Sequence, residues 1–170
     1  CGDNIYYGTE QYVVPADGSD VSGRIFMQTD SSFDTDTTAY KLIGKLSELR
    51  QQNDAIAYGT TTIRYSNDDV LIYERKFYDD VILVAINRQP DKAYTIDNVE
   101  TLLPEGEYVD FLGGMLNGEN ISVYASTGIN TTASITLDGG EVGVWQYDAA
   151  ANAPEIGNVV STMGRAGNRV

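Results

Sequence analysis

The sequence predicts a mainly β chain, an antiparallel β-sandwich preceded by one β/α unit. Three observations predict it. Apolar residues recur at helical spacing once, before Asn53. Strand-type segments then succeed one another from Thr60 to Tyr147. Gly, Asn and Asp punctuate that stretch at short intervals, the turn chemistry of a sandwich.

Taken in order, the short apolar segment Ile5–Tyr7 reads as a strand ending at Gly8. A long polar loop, Val13 to Thr35, is rich in Asp, Ser and Gly. Asp36 or Thr37 can cap the helix that follows, in which Ala39, Leu42, Ile43, Leu46 and Leu49 share one face. Arg50 stands in the last turn, where a cation suits the helix dipole. This strand, loop and helix cannot bury their own apolar surfaces and need a barrel around them. Beyond Asn53, Thr60–Ser66, Val70–Phe77 and Val81–Asn87 read as a meander through turns at residues 67–69 and 78–80. Val81–Ile86 is apolar without alternation, the pattern of a strand buried on both faces. Further strands are expected at Ala93–Ile96, Tyr108–Leu112, Asn120–Tyr124, Ser134–Leu137 and Glu141–Tyr147. Residues 148–153 have the composition of a linker.

Charge and cysteine content exclude several function classes. The net charge is −14, with only four lysines, so the surface repels phosphate backbones and nucleic acid is not an expected partner. No run of about 18 apolar residues could span a membrane as a helix. The single cysteine, Cys1, excludes an internal disulfide and a cysteine-ligated metal. The acidity itself reads as solubility, since neutral ligands are indifferent to the field.

Several segments together resemble a known family. They are IYYGTEQY at Ile5–Tyr12, TTAYKLIGKLSELRQQN at Thr37–Asn53 and AIAYGTTT at Ala55–Thr62. NDDVLIYERKF at Asn67–Phe77, VAINR at Val84–Arg88, GGMLNG at Gly113–Gly118 and GEVGVWQY at Gly140–Tyr147 complete the set. The succession is similar to cyclodextrin glucanotransferases and the related maltogenic α-amylases of the α-amylase family, over nearly the whole chain. The resemblance implies that residues 1–53 are the end of a (β/α)8 (TIM) barrel. It implies that 54–147 form the eight-stranded Greek-key sandwich called domain C. Residues 148–170 would be a linker and the first strand of an immunoglobulin-like (TIG) domain. The parent enzyme would be secreted and monomeric, would require calcium, and would act on starch and malto-oligosaccharides. It would cleave α-1,4 bonds with retention and transfer the glycosyl unit. The residues present leave open whether the product is a cyclodextrin or maltose.

The family's catalytic motifs precede the last barrel strand, so no catalytic residue is expected here, and the chain has no histidine. Asp34–Asp36, Asp68–Asp69 and Asp79–Asp80 fall in expected turns or caps, where Asp is an ordinary residue. Glu10 reads as a support at the barrel mouth. Residues 34–38 begin like an EF-hand loop, but Ala39 and Lys45 stand where Gly and Glu are needed, so no metal site is expected in this segment. The candidate substrate contacts are Asp20, Arg24 and Tyr65. Asp20 and Arg24 have the i, i+4 spacing of the family's Asp-x-x-x-Arg loop, and such a pair can grip vicinal sugar hydroxyls. The residues between them, Val21, Ser22 and Gly23, depart from the family's usual Pro-Tyr-Asn. Tyr65 follows Arg64 where relatives carry a tryptophan that stacks on maltose. Trp145, alternating with apolar neighbours, reads as core. The two glycosylation-type triplets, at Asn120 and Asn130, are assigned no function. The rival expectation is a non-catalytic sandwich that binds glucan or props up a neighbour.

Overall fold

A computed structural model describes residues 8–12, 34–126, 130–132 and 134–151. The expected strand Ile5–Tyr7, most of the polar loop and the segment beyond residue 151 lie outside them. Thr9–Gln11 form one 3-10 turn. Helix α1 spans Thr38–Gln52, and the Thr37 side chain caps it by accepting from the Tyr40 amide. A second helix, α2 at Asp54–Tyr58, follows at once.

Sequence spacing gave no sign of α2, because five residues are too few for a periodic face. The junction residue makes it: Asn53 caps α2 by accepting from the Ala55 amide at 3.0 Å, and its own amide donates to Leu49 O. Its side-chain nitrogen reaches Tyr147 O at 3.2 Å, tying both helices to the last strand.

The strands are β1 Thr60–Ser66, β2 Val70–Phe77, β3 Asp80–Asn87, β4 Tyr94–Asp97 and β5 Glu100–Thr101. They continue as β6 Gly106–Tyr108, β7 Ile121–Ala125, β8 Asn130–Thr132, β9 Ser134–Leu137 and β10 Val142–Tyr147. One layer is a four-stranded sheet in the order β1-β2-β3-β10, all antiparallel. The other layer comprises the β4-β9 pair and the β5-β8-β7-β6 sheet. In the second layer β6, β7 and β8 pair in turn while β5 lies beside β8 and not beside β6, which gives the sandwich its Greek-key character.

Turn chemistry sets the meander as expected: Asn67 Oδ1 accepts from the amides of Asp69 and Val70 at 2.8 and 2.6 Å. Tyr78 turns the β2–β3 hairpin at φ 49, a left-handed conformation that costs a non-glycine residue about 1–2 kcal/mol.

The strand expected over Tyr108–Leu112 lies earlier in the chain: β6 ends at Tyr108, the first residue of the expected span, and residues 109–112 are not strand. Asp110, buried, instead collects the Gly114 amide at 2.8 Å and the Val144 amide at 3.0 Å, holding residues 110–116 as turns against β10. Gly118 is required there, because a Cβ would meet the Asp110 carboxyl carbon at 2.8 Å. Asn120 likewise leaves β7, its side chain accepting from the Asp110 amide. The two short strands β5 and β8 carry too little pattern to be read from sequence.

Candidate functional site

On the sandwich edge, β1 carries an irregularity between Ile63 and Tyr65, where Ile63 pairs with Tyr73 but Tyr65 with Ile72. A bulge of this kind re-aims a side chain. Here it sends Arg64 inward, where Nη2 donates to Glu74 Oε1 at 2.5 Å. Glu74 is only 1% exposed. Its other oxygen accepts from the Thr101 hydroxyl at 2.6 Å and the Leu102 amide at 2.7 Å, so the buried charge is compensated on both sides. Arg64 Nε is buried without a hydrogen-bond partner.

The same bulge leaves Tyr65 half-buried, leaning on the sandwich core while its hydroxyl accepts from Asn67 Nδ2 at 3.1 Å. Residues 63–65 form one wall of a cleft of about 290 Å3, and residues 96–100 form the other. Asn98 turns that second wall at φ 52. Asp97 and Glu100 are exposed beside it. A ring edge, a guanidinium and two carboxylates can offer donors, acceptors and a flat apolar surface to a neutral polyhydroxyl ligand. Of the three candidate substrate contacts, Tyr65 alone lies among the described residues, and it lines this cleft. Asp20 and Arg24 lie outside the described residues. Sequence reasoning missed Glu74, Asp97 and Glu100. The Asp97–Asn98 pair was a legible turn signal, but nothing local announces that Glu74 points inward.

Several other acids take structural posts. Asp34 Oδ1 accepts from the Asp36 amide, and Asp36 pairs with Lys41 at 3.0 Å. Asp69 bonds the Tyr94 hydroxyl, and Asp80 accepts from the Ala149 amide. The Glu10 carbonyl accepts from the Thr37 hydroxyl, and Glu10 lines a hollow with Tyr40, Ile43 and Gly44. Trp145 is core, 1% exposed, with Nε1 donating to Glu119 O. Tyrosine serves packing elsewhere too: Tyr108 donates to Pro104 O, and burial pushes its phenol up to about 12. Among the described residues no three acidic, histidine or cysteine side chains gather to hold a metal, and no helix is long and apolar enough to cross a membrane.

Comparison with known proteins supplies the family. The family described as alpha amylase, C-terminal all-beta domain, matches residues 64–148. The cyclomaltodextrin glucanotransferase of Thermoanaerobacterium thermosulfurigenes is 52% identical over 166 residues, which are 98% of this chain and 22% of that protein. The chain thus spans about a fifth of the length of the curated relatives it matches. Among solved structures, the γ-cyclodextrin glucanotransferase of alkalophilic Bacillus clarkii aligns at TM-score 0.73 and 46% identity, over 84% of this chain and 20% of that one. A cyclomaltodextrin glucanotransferase with a three-domain ABC distribution also aligns at 0.73, with 44% identity, over 84% of this chain and 28% of that one.

Proposed function

The chain belongs to the family of α-amylase C-terminal all-β domains, and on that premise we propose that it is a non-catalytic segment of a starch-acting transglycosylase. The parent cleaves an α-1,4-glucan with retention on its own barrel carboxylates and passes the glycosyl unit to a sugar hydroxyl. The single observation carrying this is identity of about half to cyclomaltodextrin glucanotransferases along 98% of the chain. Residues 1–53 would close the barrel, 54–147 would form the sandwich and 148–170 would lead into the next domain. The helix α1 face supports that division, since Leu49 is buried against the sandwich while Leu46 is 45% exposed. The parent is secreted and calcium-dependent in this reading, and among the described residues no three acidic, histidine or cysteine side chains gather to hold the ion.

The role proposed for the sandwich is to hold glucan at the Tyr65 cleft. Tyr65→Ala in the complete enzyme should weaken binding to granular starch roughly three- to tenfold, the worth of one aromatic contact, and leave turnover of soluble starch near normal. Unchanged granule binding would return Tyr65 to ordinary strand surface. Residues 1–170 alone should release neither cyclodextrin nor maltose from soluble starch. Either product from pure material would place a catalytic pair among residues described above as structural.

A further inference from the structure

The rings of Tyr58, Phe77 and Tyr78 gather where α2 ends and the β2–β3 hairpin turns. The Phe77 centroid lies 5.5 Å from that of Tyr58 and 4.7 Å from that of Tyr78, the latter meeting it edge-on at 81°. Phe77 is half-buried against the helix-side core. Its two neighbours are not: Tyr58 is 68% exposed and Tyr78 82%. None of the three lines the Tyr65 cleft.

Tyr78 also holds an unfavourable backbone. At φ 49, in a two-residue turn between the paired Phe77 and Asp80, glycine would fit without the clash between Cβ and the following carbonyl, and asparagine would offset it by local hydrogen bonding. Burial ordinarily offsets such strain, and Tyr78 buries little. An exposed ring kept in a strained turn beside a second exposed ring is a feature that stability alone does not explain.

We propose that Tyr58 and Tyr78 form a second glucan-binding surface, with pyranose C–H faces stacked on the two rings and Phe77 holding them in place. The proposal rests on the reading that this chain serves an α-glucan enzyme. The chemistry of the patch favours a neutral polyhydroxyl ligand. The chain carries a net charge of −14, which repels phosphorylated or nucleic acid ligands. Asp79, exposed next to Tyr78, can accept from sugar hydroxyls, as can both phenol oxygens.

Two measurements test it. Nitration of the 170-residue chain by tetranitromethane, mapped by peptide mass, should label Tyr58 and Tyr78, and maltoheptaose should protect both. In native gels containing soluble starch, Tyr78→Gly should weaken retardation roughly three- to tenfold, in both the Tyr65 and Tyr65→Ala backgrounds. The same substitution should raise the Tm by relieving the left-handed tyrosine. Opposite movement of stability and binding is what a merely structural tyrosine would not give. Protection of Tyr65 alone, with Tyr78→Gly retarded normally, overturns the second surface and leaves the glucan reading standing. Absence of any retardation or protection overturns it as well, while the parent's reaction is judged separately by the products of the complete enzyme. Protection that grows with protein concentration in the absence of sugar overturns it in favour of contact between two copies.

Discussion

On one face of the β1-β2-β3-β10 sheet, buried side chains from β2, β3 and β10 meet Ile96, Ile121, Val123, Ile135 and Leu137 of the opposing layer. On the other face, Ile82, Val84 and Val144 meet Leu49, Ala55 and Leu112, with a broad half-buried margin that includes Leu42, Phe77 and Phe111. Strand β3 serves both: Val81, Leu83 and Ala85 face the sandwich, while Ile82 and Val84 face the helices. The first core is sealed by a second layer of strands and rimmed by Tyr65, Tyr94, Tyr108 and Tyr147. The second is covered by one row of helix side chains and a set of turns. The contrast teaches that an element's apolar pattern states how much surface must be covered, not how much of it this chain covers. Leu46 lies on the apolar face of α1 and is still largely exposed.

The largest effect is expected in the sealed core. Trp145→Ala should cost about 3–5 kcal/mol, because the ring fills the sandwich and its loss leaves the Glu119 carbonyl unpaired. Urea unfolding followed by far-ultraviolet circular dichroism measures it. A loss no larger than that of a helix-side truncation would erase the distinction between the cores.

Next comes the buried charge within that core. Arg64→Leu should destabilise by about 3 kcal/mol, since Glu74 keeps the Thr101 and Leu102 donors but loses its cation. Adding Glu74→Leu should recover most of the loss. A double variant less stable than the single would mean that the ion pair itself, rather than its completeness, holds the edge together.

On the helix side, Leu49→Ala should cost about 2 kcal/mol, the lower end for a buried leucine, because its margin can relax. Hydrogen exchange sharpens the comparison. Amides of α1 should exchange faster than those of β3 in the parent chain, and Leu49→Ala should widen the gap. Equal protection of α1 and residues 81–86 would make the helix an integral part of the sealed fold.

The smallest effect concerns Glu141, at the entrance to β10. It is 3% exposed, Oε2 accepts from the Asp138 amide, and Oε1 has no hydrogen-bond partner. Burial pushes its carboxyl above the ordinary carboxylate range, the backbone amides of Asp138 and Glu119 temper this, and the charges of Asp138 and Glu119 add to the rise. A raised folded-state pKa means that the ionised form destabilises the fold. The deficit is full above the folded value, shrinks as pH falls through it, and vanishes below the unfolded value. Glu141→Gln should therefore gain about 1 kcal/mol at neutral pH and nothing once pH drops below the ordinary carboxylate range. Thermal unfolding at several pH values checks the sign, and a gain that grows towards acid would refute the assignment.

Much of the fold was legible because its signals are local. The Thr37 cap, the Asn67 turn and the unbroken apolar run of β3 each act within a few residues, and the helix and the central meander follow from them. The candidate site was legible only in part. Tyr65 could be picked out beside Arg64, but its cleft needs residues 96–100 from a different sheet. Only the tertiary structure could assign Glu74 its buried hydroxyl donor from β5, pull residues 110–112 out of a strand to serve β10, and decide which tyrosines pack and which stand in solvent. The physical reason is reach. Caps, turns and alternation are fixed by neighbours along the chain, whereas burial and hydrogen-bond partners come from segments dozens of residues away, and only their assembly determines them.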